Sequence, residues 1–147
     1  MRRLSLALLV LLTAAACSIP RWPVEARVLS PFGLRMSGIL PGIHRGVDLD
    51  VPTGTEVRAM ASGRVRYAGW MSGFGNVVWI DHGGEVTTVY AHLSAIHVQQ
   101  GQSVGGRHVI GLSGASGNVT APHLHFEVWR WGREVDPVPL LGGRPGG

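Results

Sequence analysis

The segment Ala121-Pro-His123-Leu-His125-Phe-Glu127-Val128 sets two imidazoles and a carboxylate at every second position. Alternate residues of a strand share a face. His123, His125 and Glu127 therefore point one way, and Leu124, Phe126 and Val128 the other. Two imidazoles two residues apart on a rigid strand can converge on one small object, and a metal ion is the natural one. The competing reading is a chance pair on a solvated strand face, since the chain holds seven histidines. A second group lies upstream, in Gly42-Ile-His44-Arg-Gly-Val-Asp48-Leu-Asp50. His44 and Asp48 are four apart, which places them on one face of a strand or a helix; Gly46 and Pro52 disfavour the helix. Taken alone, these two read as a surface turn held by an Asx hydrogen bond. With His125 they would make two imidazoles and one carboxylate. Catalytic zinc sites use three protein ligands of this kind and keep a fourth position for water.

The elements that must position these groups are short strands punctuated by glycine. Glu56–Ala61 alternates, Gly63 turns it into Arg64–Ala68, and Val77–Ile80 and Val86–Tyr90 flank Asp81-His-Gly-Gly-Glu85 as a hairpin. His108–Gly111 is another short strand, and Ala121–Trp129 is the last. Pro122 and the loop Ser113–Asn118 before it read as a mobile lip. With 22 glycines, 9 prolines and no helical periodicity after the leader, the pattern predicts an all-β sandwich or barrel. At 147 residues the chain is one domain's worth. The organisation expected is a leader at 1–16, a Pro-containing tether at 17–29, one domain at 30–141 and a disordered tail at 142–147.

Met1-Arg-Arg3 followed by apolar Leu4–Leu12 and small Thr13–Ala16 has the layout of a secretory signal, too short to span a membrane. Cys17 directly after the small residues resembles the lipobox of bacterial lipoproteins, with Ala14 where that motif usually has Leu. Ordinary cleavage in the Ala14–Ala16 run would instead leave Cys17 as a free thiol. Lipidation at Cys17 is the favoured reading, because an unpaired exported cysteine is a liability. It implies a membrane-anchored envelope protein, with a soluble exported form as the alternative. Removing Arg2 and Arg3 from the 13 basic residues leaves 11 against 9 acids. That balance is too mild to argue for nucleic acid.

Several blocks in order carry a family resemblance: Ser30-Pro-Phe-Gly-Leu-Arg35, His44-Arg-Gly-Val-Asp48, Pro52-Thr-Gly-Thr-Glu-Val57, Gly75-Asn-Val-Val-Trp-Ile-Asp-His-Gly83, Tyr90-Ala-His92-Leu93, Gly101-Gln102 and Pro122-His-Leu-His-Phe-Glu127. Over about Ser30 to Leu141 the chain resembles the lysostaphin-type (LytM-like) zinc metalloendopeptidases that cut bacterial peptidoglycan. The resemblance implies a β-sandwich with an antiparallel core sheet and groove-lining loops. It implies one zinc ion on His44, Asp48 and His125, with His92 and His123 beside the metal as catalytic histidines. The one departure, Ala121 where the family often has Gly, touches loop flexibility rather than a ligand. Zinc would bring the pKa of a bound water to about 7 and polarise the scissile carbonyl. No His-Glu-x-x-His motif is present, so His92 and His123 would cover proton transfer and transition-state stabilisation.

The other conspicuous residues have plainer readings. His82 reads as a turn residue, and His97 and His108 as solvated or locally hydrogen-bonded. Arg35 lines the cleft or makes a structural salt bridge. Glu127 orients a ligand or makes a polar contact between strands. Trp70, Phe74, Trp129 and Trp131 flank a groove for an extended polymer or belong to core and rim. The main expectation is a zinc endopeptidase acting on peptidoglycan cross-links. The alternative is a non-catalytic LytM-like protein that activates a wall amidase; such regulators typically lack some zinc ligands, whereas all five site residues are present here. A sugar-transport phosphocarrier of similar fold is disfavoured by the export signal. A protein regulator is left open.

Overall fold

The computed structural model describes residues 18–37 and 40–146; the leader and Cys17 lie outside them. Twelve strands follow one another: β1 (Val28–Ser30), β2 (Gly33–Ser37), β3 (Leu40–His44), β4 (Val47–Leu49), β5 (Glu56–Arg58), β6 (Gly63–Met71), β7 (Gly75–Asp81), β8 (Val86–Ile96), β9 (Ser103–Val104), β10 (Val109–Ser113), β11 (Leu124–Arg130) and β12 (Arg133–Val135). One helical turn, α1 (Pro137–Leu140), comes last, where the sequence pattern predicts no helix. Asp136 caps it by accepting from the Val138 N–H. The large sheet runs β1-β4-β11-β8-β7-β6-β9, every pairing antiparallel, and β2–β3 form a separate ribbon. This is the expected all-β architecture with an antiparallel core sheet.

The central hairpin β7–β8 shows why the sequence folds this way. Gly83, Gly84 and Glu85 all have positive φ, and the Asp81 carboxylate accepts the Gly83 N–H at 2.8 Å. Two glycines make that run of left-handed residues accessible. On either side, Val78, Ile80 and Tyr90 face the main core, while Val77, Val89 and Ala91 face a second, smaller apolar layer. The sheet is thus apolar on both faces at its centre. That is why these strands read as nearly continuous hydrophobic runs.

β8 is long because it serves three partners. β7 pairs with it as far as Leu93 on one edge, while on the other β11 pairs as far as Ala91 and β10 takes over from Leu93. The change of partner falls at His92, which has φ 63° and donates its backbone N–H to Phe74 O at 2.8 Å. Histidine is among the few non-glycine residues that tolerate this region. β10 also pairs with β5 and brings Val57 and Ile110 into the main core.

Two segments differ from expectation. The stretch expected to be a tether packs into the domain: Trp22 and Val24 belong to the main core, Arg21 N–H donates to Met60 O, and Arg58 N–H to Pro23 O. Isolated apolar residues among prolines carry no periodicity, so their burial has no signature in sequence. The tail expected to be disordered is held too. Trp22 Nε1 donates to Gly143 O at 2.9 Å, and Pro145 is buried.

Candidate metal centre

Register builds the site. On β4 and β11, Asp48 pairs directly with His125, so both side chains rise from the same face of the sheet. Gly46 lets the two strands close: a Cβ there would lie 2.3 Å from Phe126 O and 2.9 Å from Glu127 Cγ. His44 ends β3 and reaches the same point from the ribbon. The donors His44 Nε2, Asp48 Oδ1 and His125 Nδ1 stand 2.8, 3.1 and 3.2 Å apart. Tetrahedral bonds of about 2.0–2.1 Å would set such donors about 3.3 Å apart, so the cluster has the size and composition of a zinc site.

Each imidazole is held from behind. His44 Nδ1 donates to Pro31 O at 2.8 Å, which turns Nε2 inward. His125 Nε2 donates to Glu127 Oε1 at 2.9 Å, which turns Nδ1 inward. Trp129 Nε1 donates to the other oxygen of Glu127 at 2.7 Å. Glu127 is 1% exposed, which rules out the competing reading of a solvated strand face. The carboxylate is tolerated there because both of its oxygens are bonded. Of the two readings of Glu127, orientation of His125 is the one the geometry supports.

Electrostatics follow from these contacts. Burial disfavours the Asp48 carboxylate, but its contacts with the His125 and His44 rings outweigh it and hold the group well below the usual carboxylate range. Burial likewise pushes the His125 imidazole down, yet its bonds to Asp48 and Glu127 prevail and raise it to about 9. Two carboxylates flanking one ring favour positive charge at that point.

His92 and His123 stand together beside this cluster, ring centroids 4.8 Å apart. His92 Nδ1 donates to Ser116 O and His123 Nδ1 to Ala121 O, at 2.9 and 3.0 Å. Their Nε2 atoms are left to other work, and His123 Nε2 lies 3.6 Å from Asp48 Oδ1. Burial, and then the neighbouring His123 and His125, lower the His92 pKa against the opposing bond to Ser116 O. All five residues line one open cleft of about 480 Å³ with Arg35, Phe74 and Asn118. Arg35 is exposed and stands 3.7 Å from Asp48 Oδ2.

The loop read as a mobile lip is pinned instead. Ser116 Oγ donates to Leu93 O and accepts from Asn76 N–H, and Asn118 N–H donates to Gly73 O. Gly75 and Gly117 have positive φ, and a Cβ on either would meet the other segment at 2.4 Å. Neither Ser116 nor Asn118 stands out in the sequence; the glycines that let this loop touch Gly73–Gly75 are its only signal. His82 is also more than a turn residue. Its ring bridges Ser62 O at 2.9 Å and Thr88 Oγ1 at 2.7 Å, and Thr88 leads on to the buried Tyr90 hydroxyl and Met60 N–H. His97 and His108 are exposed, away from the cleft lining.

Residues 42–137 match the model of peptidase family M23. The chain belongs to that family. Over 119 residues it is 47% identical to the DD-carboxypeptidase/endopeptidase Mpg of Neisseria meningitidis, covering 80% of this chain and 27% of Mpg. It is also 37% identical over 121 residues to the murein hydrolase activator EnvC of Escherichia coli, covering 82% of this chain and 28% of EnvC. The chain therefore spans about a quarter of the length of these relatives. The catalytic domain of lysostaphin from Staphylococcus simulans superposes with a TM-score of 0.72 at 37% identity, covering 79% of this chain and 92% of that one. The family thus holds both peptidases and a protein named as an activator.

Proposed function

We propose that this M23 domain is a zinc-dependent endopeptidase that hydrolyses peptide cross-links of bacterial peptidoglycan. The observation that carries the reading is one cleft in which His44, Asp48 and His125 converge and two further imidazoles stand within reach. Similarity to Mpg and to the catalytic domain of lysostaphin supports it. A zinc ion held by the three donors supplies Lewis acidity, making water acidic enough to attack near neutral pH and polarising a carbonyl. The remaining work belongs to the chain. His92 and His123, each with Nδ1 fixed on a backbone carbonyl, present Nε2 to take a proton from the attacking water and to return one to the leaving amine. Arg35 and Asn118, at the edges of the cleft, orient an extended peptide.

The test is digestion of purified peptidoglycan with the zinc-loaded protein. New amino termini and no new reducing sugar ends are expected; cut glycan strands would overturn the assignment. A second reading, activation of a wall amidase without catalysis, is favoured by the similarity to EnvC. It predicts no fragments from the protein alone and faster digestion when an amidase is added.

We infer that the domain works in the cell envelope, held by lipid on Cys17 after loss of residues 1–16. This rests on Met1–Cys17 of the sequence. Mass spectrometry of membrane-extracted protein should find acylated Cys17 at the amino terminus, and an unmodified thiol there would end the idea.

A further inference from the structure

The sheet face that carries the metal cluster continues beyond it. His125, Glu127 and Trp129 point to the same side of β11. Trp129 pairs with Thr87 on β8, which pairs with Asp81 on β7. Over these residues lies a cavity of about 650 Å³ that the peptidase chemistry does not use. Its apolar lining is Trp79 and Trp129, with ring centroids 5.9 Å apart, beside Tyr67 and Met71. Arg66, Asp81 and Glu85 edge it.

The chemistry of the cavity defines its ligand. Indole rings bury the flat apolar face of a ring, and the polar rim bonds groups at that ring's edge. Arg66 stands 3.7 Å from Asp81 Oδ2, with side chains 63% and 41% exposed, so much of their bonding capacity faces outward. One cation between two anions is a poor match for a strongly charged polymer and a good one for a neutral ligand rich in hydroxyl and amide groups. Trp79 Nε1 is itself buried, with no acceptor among the described residues, so the indole offers the cavity its ring and not its donor.

A separate observation comes from the β11–β12 turn. Trp131 and Gly132 have φ of 50° and 73°, and Gly132 lines the cavity. Two-residue turns of this kind favour Asn or Gly at the first place. Trp131 holds it while 68% exposed, with the Arg130 guanidinium 4.5 Å from its ring centroid. An exposed aromatic thus stands at the turn that edges the cavity, in a backbone conformation that bulky residues rarely adopt.

We propose that this cavity binds the glycan of the substrate, seating an N-acetylated hexosamine on Trp79 and Trp129. From there the peptide would run over the side chains that cover this face, Phe74 and Trp129 among them, to the metal cluster. His125 and Trp129 are four residues apart on one strand, about 13 Å at 3.3 Å per residue. That spacing equals about four residues of extended peptide. The choice of occupant rests on the peptidoglycan reading above.

The test is titration of the metal-free protein with chitotetraose, followed by amide chemical shifts and tryptophan fluorescence. Saturable shifts confined to residues 66–71, 79–87 and 129–132 are expected. Thr87→Trp, which fills the cavity from a strand position that suits an aromatic, should weaken binding by about tenfold or more. Trp131→Ala should weaken it less. Thr87→Trp should cleave a sugar-free cross-linked peptide like wild type but lose rate on intact peptidoglycan. Absence of shifts, or shifts spread around the metal cluster instead, would overturn the proposal; the wild-type map decides this even if Thr87→Trp fails to fold. Sugar binding in this cavity without any peptide cleavage would instead sink the peptidase reading and leave the cavity assigned.

Discussion

β11 buries both of its faces, and the two solve burial in opposite ways. Leu124, Phe126 and Val128 sit in the main core, each fully buried among apolar side chains. On the other face His125 and Glu127 are nearly as buried, but every polar atom turned inward has a partner. The first face gains from water removed, in proportion to area. The second gains little net from each hydrogen bond but would lose heavily if one partner were taken away. Substitutions on the first face should therefore cost stability, and substitutions on the second should cost metal and chemistry.

The largest effect expected is at the donors. If the three donors hold zinc as proposed, His44→Ala or Asp48→Ala would leave two protein ligands, so zinc content should fall far below one equivalent and turnover to background. Thermal stability should fall less than in a zinc finger, because the apolar core remains. Elemental analysis beside a melting curve checks this, and a collapse of the fold in either variant would break the division between the faces.

Next comes His92, which stands beside the cluster without joining it. His92→Ala should keep zinc near one equivalent while the rate falls by roughly 10²–10⁴. Full activity on a cross-linked muropeptide would exclude a proton-transfer role.

Glu127→Gln probes the support behind His125. Its carboxylate accepts from both the His125 ring and the Trp129 indole, whereas an amide has one oxygen to offer and must turn its NH₂ on the other donor. Zinc affinity should drop by about 10–100-fold, measured by competition with a chelator of known affinity. Unchanged affinity would make Glu127 a strand-to-strand contact and nothing more.

The smallest effect belongs to His82, far from the cleft. Burial outweighs its bond to Ser62 O and the nearby Asp81 and lowers its pKa below 6.5. Above that value the ring is neutral folded or unfolded. As pH falls through 6.5, the unfolded chain takes up a proton that the folded chain resists, so stability drops. His82→Gln, which keeps a donor and an acceptor, should show a smaller change in urea midpoint between about pH 7.5 and about pH 5.5 than wild type. An equal change in both would rule out His82 as a source of acid sensitivity.

The hairpin around Asp81–Glu85 and the two-residue period of His123–Val128 are legible in the sequence because they are local patterns, and local patterns survive folding. Whether the polar face of β11 meets water depends on β4, β8 and the indole of Trp129, which the period of β11 does not encode. For that reason the sequence leaves Glu127 between orienting a ligand and a contact between strands, and its burial is seen only in the fold. His92 sits at a bend in β8 that depends on Phe74 O and on β10, and nothing in Tyr90-Ala-His92 announces a left-handed residue. Trp22 and Val24 escape a reading of the sequence because single apolar residues among prolines have no period.

The central claim is that His125 and His123, two residues apart, do different work because their rings are held differently. His125 is fixed by hydrogen bonds to Asp48 and Glu127, while His123 is hydrogen-bonded to the carbonyl of Ala121 and stands 3.6 Å from Asp48 Oδ1. The direct test is zinc content and muropeptide turnover measured in the same preparations of His125→Ala and His123→Ala. His125→Ala should lose both metal and activity, whereas His123→Ala should retain about one zinc and lose only the rate, by roughly 10²–10⁴. A His123→Ala protein without zinc, beside a His125→Ala protein that keeps it, would contradict the account.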